Sequence, residues 1–352
     1  DLIRRLSKLV KDDLHMKSHD ESLSSHSYSP SINRNEIKTI KKDSIHSQFK
    51  VSIKFTECIN FGNMNKEYPK IKVGDKCLNW SNKESKKYLL DNLSLTYPNL
   101  KWAEVITPKQ SFSNCWFNCL FVSIFISDKG RKFNKFLRKI FIDGTVNTPR
   151  KISIGSKKFK MTLAYLNMAI ESCLNGDLSI IDFNTNTFIE NIYNSISRTD
   201  RQIYSNIRNI KDSNNTFAFY IDLLLYIYKE GRPRMEFNKF GIKTLEIVIS
   251  SEFKFPYFES ILFEGAPDLI GISLYKELSS NRDITPTKYI YVNGIKYKLD
   301  SCNIIDISGN HFCSLLTVGG ECCSFDGASY RRLSRFDWIS KLGLDEDWTF
   351  DT

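Results

Sequence analysis

The chain has 352 residues, a hydrophobic fraction of 41% and a formal net charge of +10 at pH 7. It is therefore long enough for one large domain or two smaller ones and can bury a sizeable core. No stretch approaches the length of an apolar transmembrane helix, and the first residues, DLIRRLSKLVKDD, do not resemble a signal peptide, so the composition argues against a membrane protein.

The numbers of cysteines and histidines bear on whether disulfides or a zinc site are expected. The chain has nine cysteines, an odd number, and no Cys-x-x-Cys pair. With no secretory signal, this favours a reducing, cytoplasmic compartment and argues against a disulfide framework. Because only one histidine lies beyond residue 46, a Cys/His zinc site is not expected either, and we expect neither a metal nor a cofactor.

Residues 1–50 are predicted to form a flexible polar tail or linker, since they are rich in serine and lack apolar periodicity. Four of the five histidines lie there, dispersed in a polar stretch that is typical of solvated side chains. Residues 51–352 are predicted to form one globular domain.

The first half of this domain has the three-and-four spacing of helices. CWFNCLFVSIFI (115–126) predicts a helix that is buried on every side. Amphipathic helices are predicted over 132–141, 161–174 and 187–210, and a further helix over 216–231 that Gly231 closes.

Positive charge is concentrated between residues 128 and 160, which hold eleven Lys and Arg against two Asp. Such a face could bind nucleic acid or an acidic partner. A solvated helix face is the favoured interpretation, because aromatic residues are not interleaved as a base-stacking surface requires. Nucleic acid is therefore not expected as a partner.

The second half is rich in short β-type runs: TLEIVIS, PDLIGISLY, KYIYV, IKYKLD, CNIIDIS and HFCSLLTV. Asn293–Gly294 predicts a tight hairpin, and Gly319–Gly320 predicts a second turn. A mostly helical first half is thus followed by a mostly antiparallel sheet.

Cys115 is a candidate nucleophile in KQSFSNCWFN (109–118), at the start of the predicted buried helix. A cysteine is nucleophilic as the thiolate, and its pKa falls at a helix N-terminus beside an imidazolium. Gln110 lies just upstream and could donate its amide N–H to an oxyanion, together with the backbone N–H of Cys115. Seen alone, however, a cysteine before an apolar helix is most often a core residue.

His311 is the one histidine beyond residue 46, and it begins the strand HFCSLLTV. Asp326 ends the next strand, across the Gly319–Gly320 turn. Because paired hairpin strands bring the start of one beside the end of the other, His311 and Asp326 are expected at the same edge of the sheet. An imidazole oriented by a carboxylate is what a thiol nucleophile needs as its base.

At these residues the chain resembles the papain-like cysteine peptidases, and most closely the ubiquitin-specific proteases. That family has an amide residue five positions before the nucleophile, then Cys, an aromatic, any residue and Asn. Gln110, Cys115, Trp116 and Asn118 keep this spacing, with Gln in place of Asn and Trp in place of Tyr. Asn118 is predicted to have a structural role, anchoring the loop, and not a catalytic one.

Residues 266–333 resemble the family's histidine box as a block. Tyr297 and Leu299 match its Tyr-x-Leu element, and GNHF and SFDG place His311 and Asp326 on the catalytic His and Asp. The family's middle motif is eroded to NTFAFYIDLLL, and its zinc-binding fingers are missing because no Cys-x-x-Cys pair exists. These departures weaken the case for ubiquitin as substrate more than the case for the triad.

The resemblance implies an α+β, papain-like fold, in which a helical subdomain carrying Cys115 packs on an antiparallel sheet carrying His311 and Asp326. It implies hydrolysis after the C-terminal glycine of ubiquitin or a ubiquitin-like protein, with Gln110 stabilising the oxyanion. Three alternatives stay open: a processing peptidase cutting at Gly-x sites, a transglutaminase-like enzyme, and an inactive scaffold that binds ubiquitin or another partner. The Lys-, Asn- and Ile-rich composition favours an AT-rich genome, such as that of a large DNA virus, so that the protein would act in the host cytoplasm or the virion.

Overall fold

The computed structural model describes residues 55–94, 100–146, 152–210, 216–228, 244–249, 257–258, 268–274, 288–292, 294–306, 311–329 and 332–341. Apart from Ser329, these residues belong to one compact unit, Phe55–Ala328 and Arg332–Thr352. The predicted tail, residues 1–50, lies outside the described residues, as does Gly231 at the predicted helix end. Among the described residues, no helix has the length and apolarity needed to cross a membrane.

The fold is a mixed α/β arrangement of helices and small sheets. The helices are α1 (Lys83–Ser94), α2 (Cys115–Phe121), α3 (Asp128–Phe133), α4 (Lys135–Asp143), α5 (Lys157–Leu174), α6 (Thr185–Ser195), α7 (Arg198–Ile203) and α8 (Thr216–Tyr228). A π-helical segment, Val122–Ile126, continues α2 directly. Side-chain caps begin several helices: Ser156 accepts from the backbone N–H of Phe159, and Asn184 accepts from that of Asn186. The predicted helices are confirmed, with two of them each broken into a pair.

Thirteen strands lie in the described residues, in five small sheets. They are β1 (Lys70–Val73), β2 (Lys76–Asn79), β3 (Thr145–Val146), β4 (Ile152–Ser153), β5 (Thr244–Ile249), β6 (Tyr257–Phe258), β7 (Leu269–Leu274), β8 (Tyr289–Val292), β9 (Ile295–Lys298), β10 (Ser301–Asp306), β11 (His311–Val318), β12 (Glu321–Phe325) and β13 (Leu333–Arg335). The largest sheet has the order β10-β11-β12-β13 and is antiparallel throughout. It carries His311, as predicted.

Both predicted turns join paired strands. Val292 pairs with Ile295 across the first, where Gly294 has a φ of 76°, and Val318 pairs with Glu321 across the second. Most strand pairs of the second half are antiparallel, as expected, but β5–β7 and β6–β8 are parallel. The segments that separate these strands are long enough for the crossover that parallel pairing needs, and local turn signals do not reveal such a pairing.

Helix α2 and its π-helical continuation form the centre of the core. Every residue from Cys115 to Ile126 is buried, and α2 packs against β11. A buried polar network joins the two halves of the chain: the hydroxyls of Ser123 and Ser314 both donate to Asn303 Oδ1, whose amide donates to Thr216. The sequence-distant sheet is thereby fixed against the helix that carries the candidate nucleophile.

One expectation about the cysteines is wrong. The structure pairs Cys58 with Cys77 in a disulfide, with their Cα atoms 5.7 Å apart. The helical turn Phe55–Cys58 packs beside β1, which is hairpin-paired with β2, and this brings the two thiols together. Sequence spacing alone carried no sign of that packing. The other seven cysteines are free.

The basic stretch 128–160 is only partly a solvated face. Arg138 is buried on α4 and forms an ion pair with the buried Glu171 of α5, while its Nε donates to Asn167 Oδ1 at 2.9 Å. Arg131, also buried, pairs with Asp128. Two of the eleven cations therefore serve internal packing, and the charge available for a partner is smaller than the sequence indicates.

Candidate active site

The loop before Cys115 is held by hydrogen bonds from three directions. Asn114 uses its Oδ1 to accept from the backbone N–H of Ser111 at 3.0 Å, and Asn186 Nδ2 donates to the Ser111 carbonyl at 2.7 Å. The backbone N–H of Gln110 donates to the carbonyl of Gly327 at 3.1 Å. The last bond ties the cysteine loop to the residue that follows Asp326, so the two sequence-distant boxes are in direct contact.

His311 and Asp326 form the expected pair. The imidazole Nε2 lies 2.9 Å from Asp326 Oδ1. The same carboxylate oxygen accepts from the backbone N–H of Ala328 at 2.9 Å, and the backbone N–H of Asp326 donates to the Arg332 carbonyl. The turn after β12 therefore holds the carboxylate in place, which in turn fixes the orientation of the imidazole.

Cys115 begins α2 and is 7% exposed. Burial acts to raise the pKa of its thiol, but the His311 imidazole and the backbone N–H groups of Phe312 and Trp116 outweigh that effect, so the pKa is lowered from its ordinary 9.0. For His311, burial acts to lower the pKa of the imidazole, while Asp326 and Cys115 raise it, and the net shift is upward from 6.5. The two shifts favour a thiolate beside an imidazolium at neutral pH.

Gln110 lies against Gly327, the residue that follows Asp326. A Cβ added to Gly327 would meet Gln110 Cβ at 3.0 Å and Gln110 Oε1 at 3.1 Å, so glycine permits the close approach of the amide. Gln110 is half-buried, and its Oε1 has no hydrogen-bond partner among the described residues. Oε1 can only accept a hydrogen bond, so a donor to an oxyanion would have to be the amide Nε2.

Asn118 makes buried structural contacts, as predicted. Its Oδ1 accepts from the Thr185 hydroxyl at 2.9 Å, and that hydroxyl also accepts from the amide of Asn114. All three side chains are buried. They connect the start of α2 to the start of α6, and no contact with His311 is needed for this function.

Two features beside the nucleophile were not foreseen from the sequence. Phe112 is 92% exposed and has a φ of 54°, a left-handed conformation that is strained for a bulky side chain. Only the φ angle, which the sequence does not encode visibly, distinguishes it from other loop residues.

The second feature is a group of thiols. Cys313 of β11 interacts with the His311 imidazole and is close enough to Cys115 and Cys119 to influence them electrostatically. Burial raises the pKa of Cys313 and that of Cys119, so neither competes with Cys115 as a thiolate at neutral pH. The alternation of β11, which places residues 311 and 313 on one face, is the sequence signal that could have found Cys313.

A separate cavity of about 500 Å³ lies between α2, α8 and strands β7–β10. Ser123, Asn303 and Asp300 are among its polar lining residues. The carboxylate of Asp300 accepts from the backbone N–H groups of Lys129 and Gly130 and from the Ser127 hydroxyl. None of the four predicted site residues lines this cavity, so it is distinct from the candidate active site.

No family model, no curated protein and no solved structure matches the chain. The assignment of a function therefore depends on the residues and geometry described above.

Proposed function

We propose that this chain is a cysteine peptidase with a papain-like arrangement, using Cys115 as nucleophile, His311 as general base and acid, Asp326 as orienting carboxylate and Gln110 as oxyanion donor. The observation that supports this most strongly is the position of His311, whose imidazole interacts with the Cys115 thiol and with the Asp326 carboxylate. The packing of α2 on the antiparallel sheet that carries His311 also supports it.

The chemistry follows from this arrangement. The Cys115 thiolate attacks the carbonyl carbon of the scissile bond, and the resulting oxyanion accepts hydrogen bonds from the Gln110 amide and the Cys115 backbone N–H. The His311 imidazolium then donates its proton to the leaving amine, and a thioester remains on Cys115. Water, deprotonated by the now neutral imidazole, attacks the thioester; the C–S bond breaks, the acid product leaves, and the Cys115 thiolate and His311 imidazolium are regenerated. These steps require no metal or cofactor.

The proposed substrate is the C-terminal glycine of ubiquitin or a ubiquitin-like protein, joined to an amine by an amide or isopeptide bond. The support for it is the resemblance of residues 109–118 and 266–333 to the ubiquitin-specific proteases. A reducing, cytoplasmic compartment belongs to the proposal, because the nucleophile must be a free thiol. Cys77 is exposed, so in such a compartment the Cys58–Cys77 disulfide would be open to reduction.

The experiment uses ubiquitin carrying a C-terminal propargyl group, which reacts only with a thiol that is activated and correctly placed. The full chain, Cys115→Ala and His311→Ala are incubated with it, and Cys322→Ala is the matched control because Cys322 is a half-buried thiol on the neighbouring strand. Intact mass should reveal one adduct on the wild type and on Cys322→Ala, none on Cys115→Ala and little on His311→Ala.

The other possible outcomes distinguish between the alternative functions. No adduct, together with an iodoacetamide-reactive Cys115 near neutral pH, would replace ubiquitin by another peptide substrate and favour a processing peptidase. No adduct and an inert Cys115 would contradict the enzyme and favour a scaffold that binds ubiquitin or another partner. Acyl transfer to added amines faster than hydrolysis would indicate a transglutaminase-like activity instead.

A further inference from the structure

Three side chains with metal-binding atoms converge beside the proposed nucleophile. One imidazole nitrogen of His311, the sulfur of Cys313 and a carboxylate oxygen of Asp326 all lie within 4.8 Å of one another. His311 and Cys313 are alternate residues of β11 and share a face, while Asp326 directly follows the paired strand β12. The proximity is therefore a product of the sheet and not of flexible loops.

The donor set has a specific chemical preference. Sulfur, imidazole nitrogen and carboxylate oxygen together suit Zn²⁺, whereas Mg²⁺ and Ca²⁺ prefer oxygen alone. In a tetrahedral zinc site with ordinary bond lengths, such atoms are about 3.3 to 3.6 Å apart. The observed separations of at most 4.8 Å therefore require movements of roughly 1 Å, which side-chain rotation can supply.

Cys313 has no task in the proposed peptidase chemistry. In that chemistry His311 activates the Cys115 thiol and Asp326 orients His311. The thiol of Cys313 nevertheless lies within contact distance of the same imidazole. Its side chain is half-buried, so the cluster is accessible from solvent while its ligands are held by their surroundings.

We propose that His311, Cys313 and Asp326 form an inhibitory Zn²⁺ site. Binding releases the Cys313 thiol proton and the proton shared by His311 and Asp326, and it leaves one coordination position for water. An imidazole that ligates zinc no longer forms the imidazolium that stabilises the Cys115 thiolate, so zinc turns the thiol off reversibly. The inhibitory effect rests on the proposed function, but the binding site itself does not.

Co²⁺ serves as the spectroscopic probe, because tetrahedral thiolate coordination gives a sulfur-to-cobalt charge-transfer band. The reduced full chain, Cys313→Ser, Cys115→Ala and Cys322→Ser are titrated with Co²⁺, and Zn²⁺ is then added to displace it. The band should appear in the wild type, Cys115→Ala and Cys322→Ser. It should be lost in Cys313→Ser, with zinc affinity lower by at least about tenfold.

A band in Cys313→Ser equal to that of the wild type, or a band lost only in Cys115→Ala, would overturn the proposal, since zinc would then sit on Cys115 and His311 alone. If Cys313→Ser fails to fold, maleimide labelling of the wild type replaces it. Zinc should protect Cys313 from the label and EDTA should restore labelling, whereas equal labelling with and without zinc would overturn the site. Both readouts are independent of catalysis, so they stand even if the chain is not a peptidase.

The inhibitory part has its own readout, the rate at which iodoacetamide alkylates Cys115. Zinc should slow this rate in the wild type and in Cys322→Ser, EDTA should restore it, and Cys313→Ser should need at least about tenfold more zinc for the same effect. Equal zinc sensitivity of the wild type and Cys313→Ser would contradict control through this cluster.

Discussion

At the scale of single residues, the surroundings of three neighbouring cysteines shift the pKa values of their thiols in different directions. Cys115 is buried, yet its thiol pKa is lowered because His311 and two backbone N–H groups stabilise the thiolate. The neighbouring Cys119 and Cys313 have raised pKa values because burial acts on them without sufficient compensation. The surroundings therefore favour the thiolate at Cys115 over its two neighbouring thiols.

Replacing Gln110 by Ala should distinguish stabilisation of the oxyanion from activation of the Cys115 thiol. The oxyanion loses a hydrogen-bond donor, so kcat for hydrolysis should fall on the order of 100- to 1,000-fold. The rate of alkylation of Cys115 by iodoacetamide should be unchanged, since no oxyanion forms in that reaction. Equal loss of both rates would mean that Gln110 positions Cys115 and does not act on the substrate.

Replacing Phe112 by Gly should stabilise the fold. A non-glycine residue with a φ of 54° carries strain of about 1 to 2 kcal/mol, and a side chain that is 92% exposed buries little. Glycine relieves the strain at some cost in chain entropy, so we expect a gain of up to about 1 kcal/mol in urea unfolding. Phe112→Ala keeps the Cβ and should show no gain in the free energy of unfolding. Equal stability of the two variants would contradict backbone strain at residue 112.

At the scale of elements, the turn between β11 and β12 sets the relation of His311 to Asp326. Gly319 and Gly320 both have positive φ angles, and their backbone N–H groups donate to the Asp128 carboxylate at 2.9 and 2.8 Å. The turn is thus fixed both by its own conformation and by the start of α3. Any change in its register would move Asp326 away from His311.

Gly319 and Gly320 should respond differently to alanine. A Cβ on Gly319 would lie 1.9 Å from the Leu100 carbonyl oxygen, whereas a Cβ on Gly320 meets nothing within 4 Å. Gly320→Ala should cost about 1 to 2 kcal/mol in the free energy of unfolding, from strain alone. Gly319→Ala adds a backbone clash of roughly 1 to 3 kcal/mol. Urea denaturation measures both, and equal losses would contradict the close approach to Leu100.

At the scale of the whole molecule, the fold brings together residues far apart in sequence. The pairing of strands in a hairpin predicted one of these contacts. The placement of His311 near Asp326 followed from two strands and one glycine turn, and it is observed at 2.9 Å. The helix that begins at Cys115 was visible from its unbroken apolar run. That helix packs on the sheet through its buried apolar residues and is linked to it by the buried Ser123–Asn303–Thr216 network, and no local pattern reveals this network.

Other features could not be predicted from the sequence, because they depend on how distant segments pack together. The Cys58–Cys77 disulfide, the parallel pairs β5–β7 and β6–β8, and the internal Arg138–Glu171 pair all depend on tertiary packing between distant segments. Periodicity describes one element at a time. It therefore predicted the elements, and the hairpin turn predicted the His311–Asp326 contact, but neither the contact of Gln110 with Gly327 nor the convergence of Cys313 on His311 could be predicted in this way.

The central claim is that His311 activates Cys115, and the most direct test is the pH dependence of alkylation. Peptide mass spectrometry measures the rate at which iodoacetamide labels Cys115 in the wild type and in His311→Ala. Because the Cys115 pKa is lowered, labelling in the wild type should rise with pH to a midpoint below 9.0, a range in which His311 stays protonated. In His311→Ala burial remains but the imidazolium does not, so the midpoint should move upward. The same midpoint in both proteins, or one above 9.0 in the wild type, would contradict the account.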